Sequence, residues 1–160
     1  NFGLIGLPNA GKSSLLNKLT SANVRTANYP FTTLEPNLGV YNGKVIADVP
    51  GLIEGASTGK GLGIKFLKHI EKVDMIFHCI SVESVDVTTE YNTVLNELVG
   101  YSPKLRDKKS IILLTKIDLI DKKETEKKLE ELKKFNRDIL TVSIYDEKSL
   151  EKLKKLLIME

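Results

Sequence analysis

Tryptophan is absent from this 160-residue chain, and cysteine occurs once, at Cys79. A single thiol excludes an internal disulfide framework and a cysteine-rich zinc site. It fits a reducing, cytoplasmic setting. No run approaches the roughly 18 apolar residues that a membrane-spanning helix needs, and no secretory leader opens the sequence, so no integral membrane protein is expected. Aromatic residues amount to 6% and do not interleave with the basic runs, which leaves no stacking platform for bases and no expected contact with DNA. Charge of one sign is also scarce. Lysine and arginine number 24 against 21 acidic residues, a net +3 that falls short of a nucleic-acid-binding arm.

What is present describes one folded unit. Hydrophobic residues at 41% and charged residues at 28% are ordinary for a globular protein and argue against disorder. The length suits a single domain, expected to be monomeric. The lysines of residues 121–134 and 151–155 alternate with glutamate at helical spacing. They read as solvated helix faces with i,i+4 pairs, an RNA-contacting patch being the lesser alternative.

Strand and helix patterns alternate along the chain. Short apolar, β-branched runs predict strands at residues 2–7, 38–41, 44–49, 74–82, 111–114 and 138–142. Apolar residues at helical spacing predict helices at 12–19, 64–72, 87–99, 122–135 and 147–158, with Val94, Leu95, Leu98 and Val99 as the apolar stripe of the third. Residues 21–36 and 50–63 read as long loops, and long loops are usually functional. Asn42-Gly43 is a strong hairpin signal. The expected fold is α/β: a mostly parallel six-stranded sheet with one antiparallel edge strand and helices on both faces. In such sheets ligands sit beyond the carboxyl ends of the strands.

The loop after the first strand carries the sharpest signal. Gly6-Leu7-Pro8-Asn9-Ala10-Gly11-Lys12-Ser13 fits G-x-x-x-x-G-K-[ST] between a strand and a helix, as the phosphate-binding P-loop requires. The glycines let successive N–H groups curl inward, and the following helix aims its positive end at the same point. Lys12 would meet the β- and γ-phosphates, and the Ser13 hydroxyl would hold Mg²⁺. Asp48-Val49-Pro50-Gly51 closes the third strand, where an Asp binds Mg²⁺ through water and the Gly51 N–H turns toward a γ-phosphate. Thr32 and Thr33 lie in the first long loop, where a threonine completes the Mg²⁺ shell only when a γ-phosphate is present. Thr115-Lys116-Ile117-Asp118 follows the fifth strand and approximates N-K-x-D. A carboxylate accepts hydrogen bonds only, so Asp118 matches the donor edge of guanine and mismatches adenine. Lys116 would lay its aliphatic stem along the base. Ser143, after the last strand, stands where a backbone N–H would meet the guanine carbonyl.

Together these strings resemble the Obg family within the translation-factor class of P-loop GTPases. The likeness is carried by GLPNAGKSSLL at 6–16, NYPFTTLEPNLG at 28–39, ADVPGLIEGASTGKGLG at 47–63 and FLKHIEK at 66–72. The resemblance implies a Ras-like GTP-binding (G) domain that binds GTP and GDP with Mg²⁺, hydrolyses GTP slowly and acts with the ribosome, the large subunit in particular, in ribosome biogenesis. Carried over by position, the phosphate-binding residues are Gly6, Leu7, Pro8, Asn9, Ala10, Gly11, Lys12, Ser13 and Ser14. The Mg²⁺ ligands are Ser13 and Thr33, with Asp48 behind a water. The first switch contains Phe31, Thr32, Thr33, Leu34 and Glu35, and the second begins at Asp48, Val49, Pro50 and Gly51. Thr115, Lys116, Asp118, Leu119, Ser143 and Ile144 match the base-binding motifs. Lys12, Thr33 and Gly51 are the expected contacts to the γ-phosphate in the transition state.

The chain departs from the family pattern in three respects. Thr115 stands where Asn is commoner, and Ile144 where Ala is usual. Obg proteins also carry a glycine-rich domain before this one and often a further domain after it, so residues 1–160 are expected to be a domain of a longer protein. Leu52 occupies the position where many GTPases place a water-orienting Gln, and only Arg25 of the three arginines lies near a switch. Asn9 is read two ways: as a K⁺ ligand that replaces an arginine finger, or as support for the turn after Pro8. Cys79 and His78 read as buried structural residues, and His69 as a surface histidine. Two other functions stay open: an ATPase of a neighbouring family, against which Asp118 argues, and a nucleotide-gated binding module whose hydrolysis is incidental.

Overall fold

Asn42 and Gly43 have φ of 52° and 78°, the pair of positive values that a type I′ hairpin turn demands. They join β2 (Asn37–Tyr41) to β3 (Lys44–Asp48) as the antiparallel pair anticipated from the sequence. The computed structural model describes residues 1–20, 37–48 and 63–159. These residues form a six-stranded sheet in the order β2-β3-β1-β4-β5-β6. The remaining strands are β1 (Phe2–Ile5), β4 (Met75–Ser81), β5 (Ser110–Thr115) and β6 (Asp138–Thr141), all paired in parallel. Five α-helices accompany them: α1 (Lys12–Leu19), α2 (Gly63–Lys72), α3 (Val87–Tyr101), α4 (Lys122–Leu132) and α5 (Glu147–Met159).

Side-chain alternation divides the sheet's two faces. Phe2 and Leu4 of β1, Met75, Phe77 and Cys79 of β4, and Ile111 and Leu113 of β5 point to one side. There they pack on Leu15, Leu16 and Leu19 of α1 and Leu150, Leu153 and Leu157 of α5. Ile5 and Ile76 face the other side, against Leu67 and Ile70 of α2 and Val94 and Leu98 of α3. Farther along that face Ile80, Ile112 and Leu114 meet Val87 and Tyr91 of α3 and Leu132 of α4. A parallel strand covered on both faces must be apolar throughout, which is why β4 is buried at every position.

Three details differ from expectation. The buried stripe of α3 is Val87, Tyr91, Val94 and Leu98, while Leu95 and Val99 are half-buried, a rotation toward the helix's aromatic side. Residues 133–135 form a separate 3₁₀ turn rather than a last turn of α4. His69 is buried rather than on the surface; burial, and after it the charge of Lys72, lower its pKa to about 4. The lysine-rich face of α4 is solvated as expected, with Leu132 its one buried residue.

His78 sits mid-sheet, stacked on Tyr91 at 4.8 Å, and Tyr91 stacks in turn on Phe135 at 3.9 Å. Burial, with a smaller contribution from the Lys12 charge, pushes the His78 pKa down to about 3. The unfolded chain takes up this proton near pH 6.5 and the folded chain does not. Above pH 6.5 both states are neutral at this position and stability is untouched; below it the unfolded state gains until the pH reaches about 3. The His78→Phe variant, which keeps the stack, should therefore lose stability less steeply than wild type between pH 6.5 and pH 4. Urea midpoints measured across that window check this; parallel slopes for the two proteins would contradict it.

Candidate functional site

Every functional side chain that the structure describes stands at the carboxyl edge of the sheet, and strand order sets the layout. Asp48 ends β3, the loop 6–11 follows β1, Ser81 ends β4, Thr115 ends β5, and Ser143 lies just past β6. Because β1 lies between β3 and β4, the loop that follows it is flanked by Asp48 on one side and by the β4, β5 and β6 ends on the other.

Gly6 cannot carry a side chain, since a Cβ there would lie 2.5 Å from the Cys79 carbonyl oxygen of the neighbouring strand. Gly11, at φ 86°, turns the chain into α1. Asp86 and Asp121 cap α3 and α4 by accepting from Thr89 N–H and Glu124 N–H. α1 has neither a side-chain cap nor an acid in its first turn. Its first N–H groups thus face the loop with no capping side chain and no acid of their own helix, an arrangement that favours an anion. Lys12 is buried, and its ammonium donates to the carbonyls of Gly6 at 3.1 Å and Leu7 at 3.0 Å. The charge is therefore held over the loop's mouth rather than in solvent.

The Ser13 hydroxyl donates to Asp48 Oδ2 at 2.7 Å. Asn37 Nδ2 reaches the same oxygen at 3.4 Å. Asp48 Oδ1 is buried and has no hydrogen-bond partner among the described residues. A buried carboxylate oxygen left bare is costly unless something cationic or hydrated meets it. Hard oxygen donors gathered at this point have the chemistry that suits Mg²⁺. A cavity of about 420 Å³ opens there, bordered by Pro8, Asn9, Gly11, Lys12, Ser13, Ser14, Asn37, Asp48 and Lys116.

A second cavity, of about 330 Å³, adjoins it and shares Gly11, Ser14 and Lys116 with the first. Its other walls include Thr115, Asp118, Leu119, Ile144 and Tyr145. The Thr115 hydroxyl donates to the Ala10 carbonyl at 2.8 Å and so ties the end of β5 to the first loop. Lys116 takes a left-handed conformation, φ 62°, uncommon for a residue with a side chain, and its ammonium donates to the Asn9 carbonyl at 2.9 Å. Asp118 Oδ1 accepts from the Ser143 hydroxyl at 2.8 Å.

Cys79, expected to be inert, is buried with its thiol pKa pushed up to about 12. Ser143 acts differently from expectation. Its N–H, expected to be left for a base, donates to Ser149 Oγ at 3.0 Å, and its hydroxyl turns to Asp118. The neighbouring Ile144 reaches the cavity wall where Ser143 does not. Phe31, Thr32, Thr33, Leu34, Glu35, Val49, Pro50, Gly51 and Leu52 lie outside the described residues, as do most of the two long loops.

Two adjoining cavities of this kind, one polar beside a P-loop and one apolar with a carboxylate at its rim, suit a nucleotide, and comparison with known proteins decides the class. A model of the 50S ribosome-binding GTPase family matches residues 1–116. The chain belongs to that family. GTPase Obg of Rickettsia felis is 48% identical over 161 residues, covering 98% of this chain and 49% of that protein. The chain thus spans about half the length of such curated relatives. Among solved structures, a GDP-bound mutant of S. thermophilus NFeoB superposes with a TM-score of 0.72 at 21% identity, covering 97% of this chain and 58% of that one. The G domain of the T. maritima FeoB iron transporter gives 0.64 at 27% identity, covering 99% and 96%. Both are P-loop GTPase folds, as the motifs anticipated.

Three residues of this GTPase site escaped the sequence reading. Ser149, on α5, receives the Ser143 N–H and donates to the Asp146 carbonyl. Tyr145 is exposed at the cavity rim. Glu83 lies in the loop after β4 and contacts Lys116. No motif marks any of the three; only the rule that ligands sit after strand ends pointed toward the β4 loop.

Proposed function

We propose that the protein to which this chain belongs is a GTP-binding switch that hydrolyses GTP slowly with Mg²⁺ and works in the cytoplasm on the assembly of the ribosome's large subunit. Residues 1–160 are read as its G domain, with further domains outside them. The observation that carries this is the convergence at one sheet edge of Lys12, the Ser13–Asp48 pair with its bare buried oxygen, and Asp118 oriented by Ser143. In this reading the loop N–H groups and Lys12 bind the β- and γ-phosphates and meet the charge that grows there during transfer. Ser13, Thr33 and Asp48 hold Mg²⁺, which when bound neutralises phosphate charge. Asp118 accepts from the guanine edge, the Ile144 N–H meets its carbonyl, and Leu119 and the Lys116 stem flank the ring. Thr33 and Gly51 sense the γ-phosphate, so partner affinity differs between the GTP and GDP states.

The experiment is co-sedimentation of the full-length protein with separated ribosomal subunits, loaded with GDP or a non-hydrolysable GTP analogue. Binding to the large subunit that depends on nucleotide supports the reading; equal recovery in both states, or none, defeats it. Competition of labelled GTP by excess ATP separates the GTPase from a related ATPase.

Turnover should also respond to the monovalent cation. Leu52 cannot orient a water. Arg106 lies in the turn before β5 and Arg137 immediately precedes β6, at the sheet edge opposite the site, so neither serves as a finger within the chain. A finger is worth roughly 10³–10⁵ in rate. Asn9 lines the phosphate cavity and offers a side-chain carbonyl with which K⁺ would replace part of that charge. GTP turnover should be faster in KCl than in NaCl at equal ionic strength, and the difference should vanish in Asn9→Ala. Equal wild-type rates in the two salts would remove K⁺ from the reaction; a difference that survives Asn9→Ala would move its site.

A further inference from the structure

Glu83 is the acidic side chain that joins the wall of the apolar cavity from β4, and the nucleotide motifs give it no role. Its carboxylate accepts from the Lys116 ammonium at 2.7 Å and from the Ser81 hydroxyl at 3.3 Å, while its own N–H donates to Ser81 Oγ at 3.0 Å. The same Lys116 ammonium donates to the Asn9 carbonyl. Three strand-end loops therefore meet at one cation: the β1 loop through Asn9, the β4 loop through Glu83, and the β5 loop that carries Lys116.

We propose that Glu83 is a positioning residue for nucleotide binding, which fixes the Lys116 stem along the wall of the base cavity by holding its ammonium against Asn9. This rests on the nucleotide-site reading above. A lysine stem has four rotatable bonds, and ordering it when a ligand arrives costs binding free energy. Here two acceptors order it beforehand. The backbone of Lys116 alone does not: its left-handed conformation sets where the stem starts, and the ammonium contacts set where it ends. Lys116 is half-buried and Glu83 exposed, so the pair is partly screened and its effect is moderate. The hydrogen bond from Lys116 and its charge hold the Glu83 carboxyl below the usual carboxylate range, so Glu83 stays ionised at neutral pH.

The test is release of a fluorescent GDP analogue, followed by stopped flow with excess unlabelled GDP. It compares wild type, Glu83→Gln, Lys116→Ala and the double variant, in the full-length protein. Glutamine keeps the shape and can still accept one neutral hydrogen bond, so folding should be unaffected, and equal melting temperatures without nucleotide verify this. Release should accelerate about three- to tenfold in Glu83→Gln, the range for weakening one partly exposed charge-assisted bond. The turnover number at saturating GTP should change less than release does, because in the reading above Lys12, not Lys116, meets the γ-phosphate. In the Lys116→Ala background Glu83→Gln should add nothing. Unchanged release in Glu83→Gln overturns the proposal, as does an effect that persists without Lys116. Slower release also overturns it, since the carboxylate would then act only by repelling phosphate. If wild type fails to bind the GDP analogue, the nucleotide-site reading itself falls, a result distinct from the others.

Discussion

Lys12→Ala should reduce GTP affinity or turnover by at least about a hundredfold, the scale for removing one preorganised donor from a charged transition state. Lys12 is the cation whose ammonium the loop itself holds, between the Gly6 and Leu7 carbonyls, and among the described residues Lys116 is the other one at the phosphate cavity. The Lys116 ammonium is already engaged by Glu83 and the Asn9 carbonyl, so it is not expected to take over. The lost ammonium also unlatches two carbonyls from the loop's interior, which should let the loop relax. Lys12→Met keeps most of the stem and isolates the charge. Filter binding of labelled GTP and single-turnover hydrolysis provide the numbers, with circular dichroism to show that each variant folds. Near-normal binding and hydrolysis in a folded Lys12→Met protein would defeat the phosphate-loop assignment.

Asp118→Asn should turn the base preference from guanine toward xanthine. The direction follows from the Ser143 hydroxyl. Its oxygen accepts from the Tyr145 N–H at 3.1 Å, and its proton goes to Asp118 Oδ1 at 2.8 Å. In the variant that proton still demands an oxygen at the Oδ1 position. The new amide nitrogen therefore occupies the Oδ2 position and presents donors where the carboxylate accepted. Guanine offers donors along that edge; xanthine offers a carbonyl in place of the amine. GTP affinity should fall by about 5- to 150-fold, the equivalent of roughly 1–3 kcal/mol for an unpaired buried polar group, while XTP gains. Competition between GTP and XTP for the labelled site reads the switch directly. Retention of guanine preference would remove Asp118 from base reading. The double variant with Ser143→Ala should show a weaker switch, because nothing then fixes which end of the amide faces the base.

The fold was legible because its signals were local and repeated. β1, α1 and the hairpin are bracketed by glycine and asparagine turns, and their observed limits lie within two residues of the pattern. The alternation of elements then forced a largely parallel sheet. Features that depended on tertiary contact were not legible. The short 3₁₀ turns at Pro103–Asp107 and Ile117–Leu119 have no periodicity to read. His69 counts as polar in any pattern, yet its place on α2 beside the buried Ile70 takes it inside. At the site, motif spacing singled out Lys12, Ser13, Asp48 and Asp118, and the structure gathers all four at the carboxyl edge of the sheet. The diversion of the Ser143 N–H to Ser149 was not legible, since it joins the loop after β6 to α5 through a contact no motif records.

The Thr115 hydroxyl bridge to Ala10 has a thermodynamic consequence. It is buried, and it fastens the end of β5, which leads to Lys116 and Asp118, to the glycine-rich loop after β1. The two halves of the site are therefore registered to each other when the chain folds, and that ordering entropy is lost then rather than when a nucleotide enters. A ligand that satisfies only one half gains no freedom to slide toward a better fit in the other. If the proposed roles hold, base identity and phosphate position are read against a single fixed ruler, and a nucleotide with the wrong base should be penalised at both ends of its length.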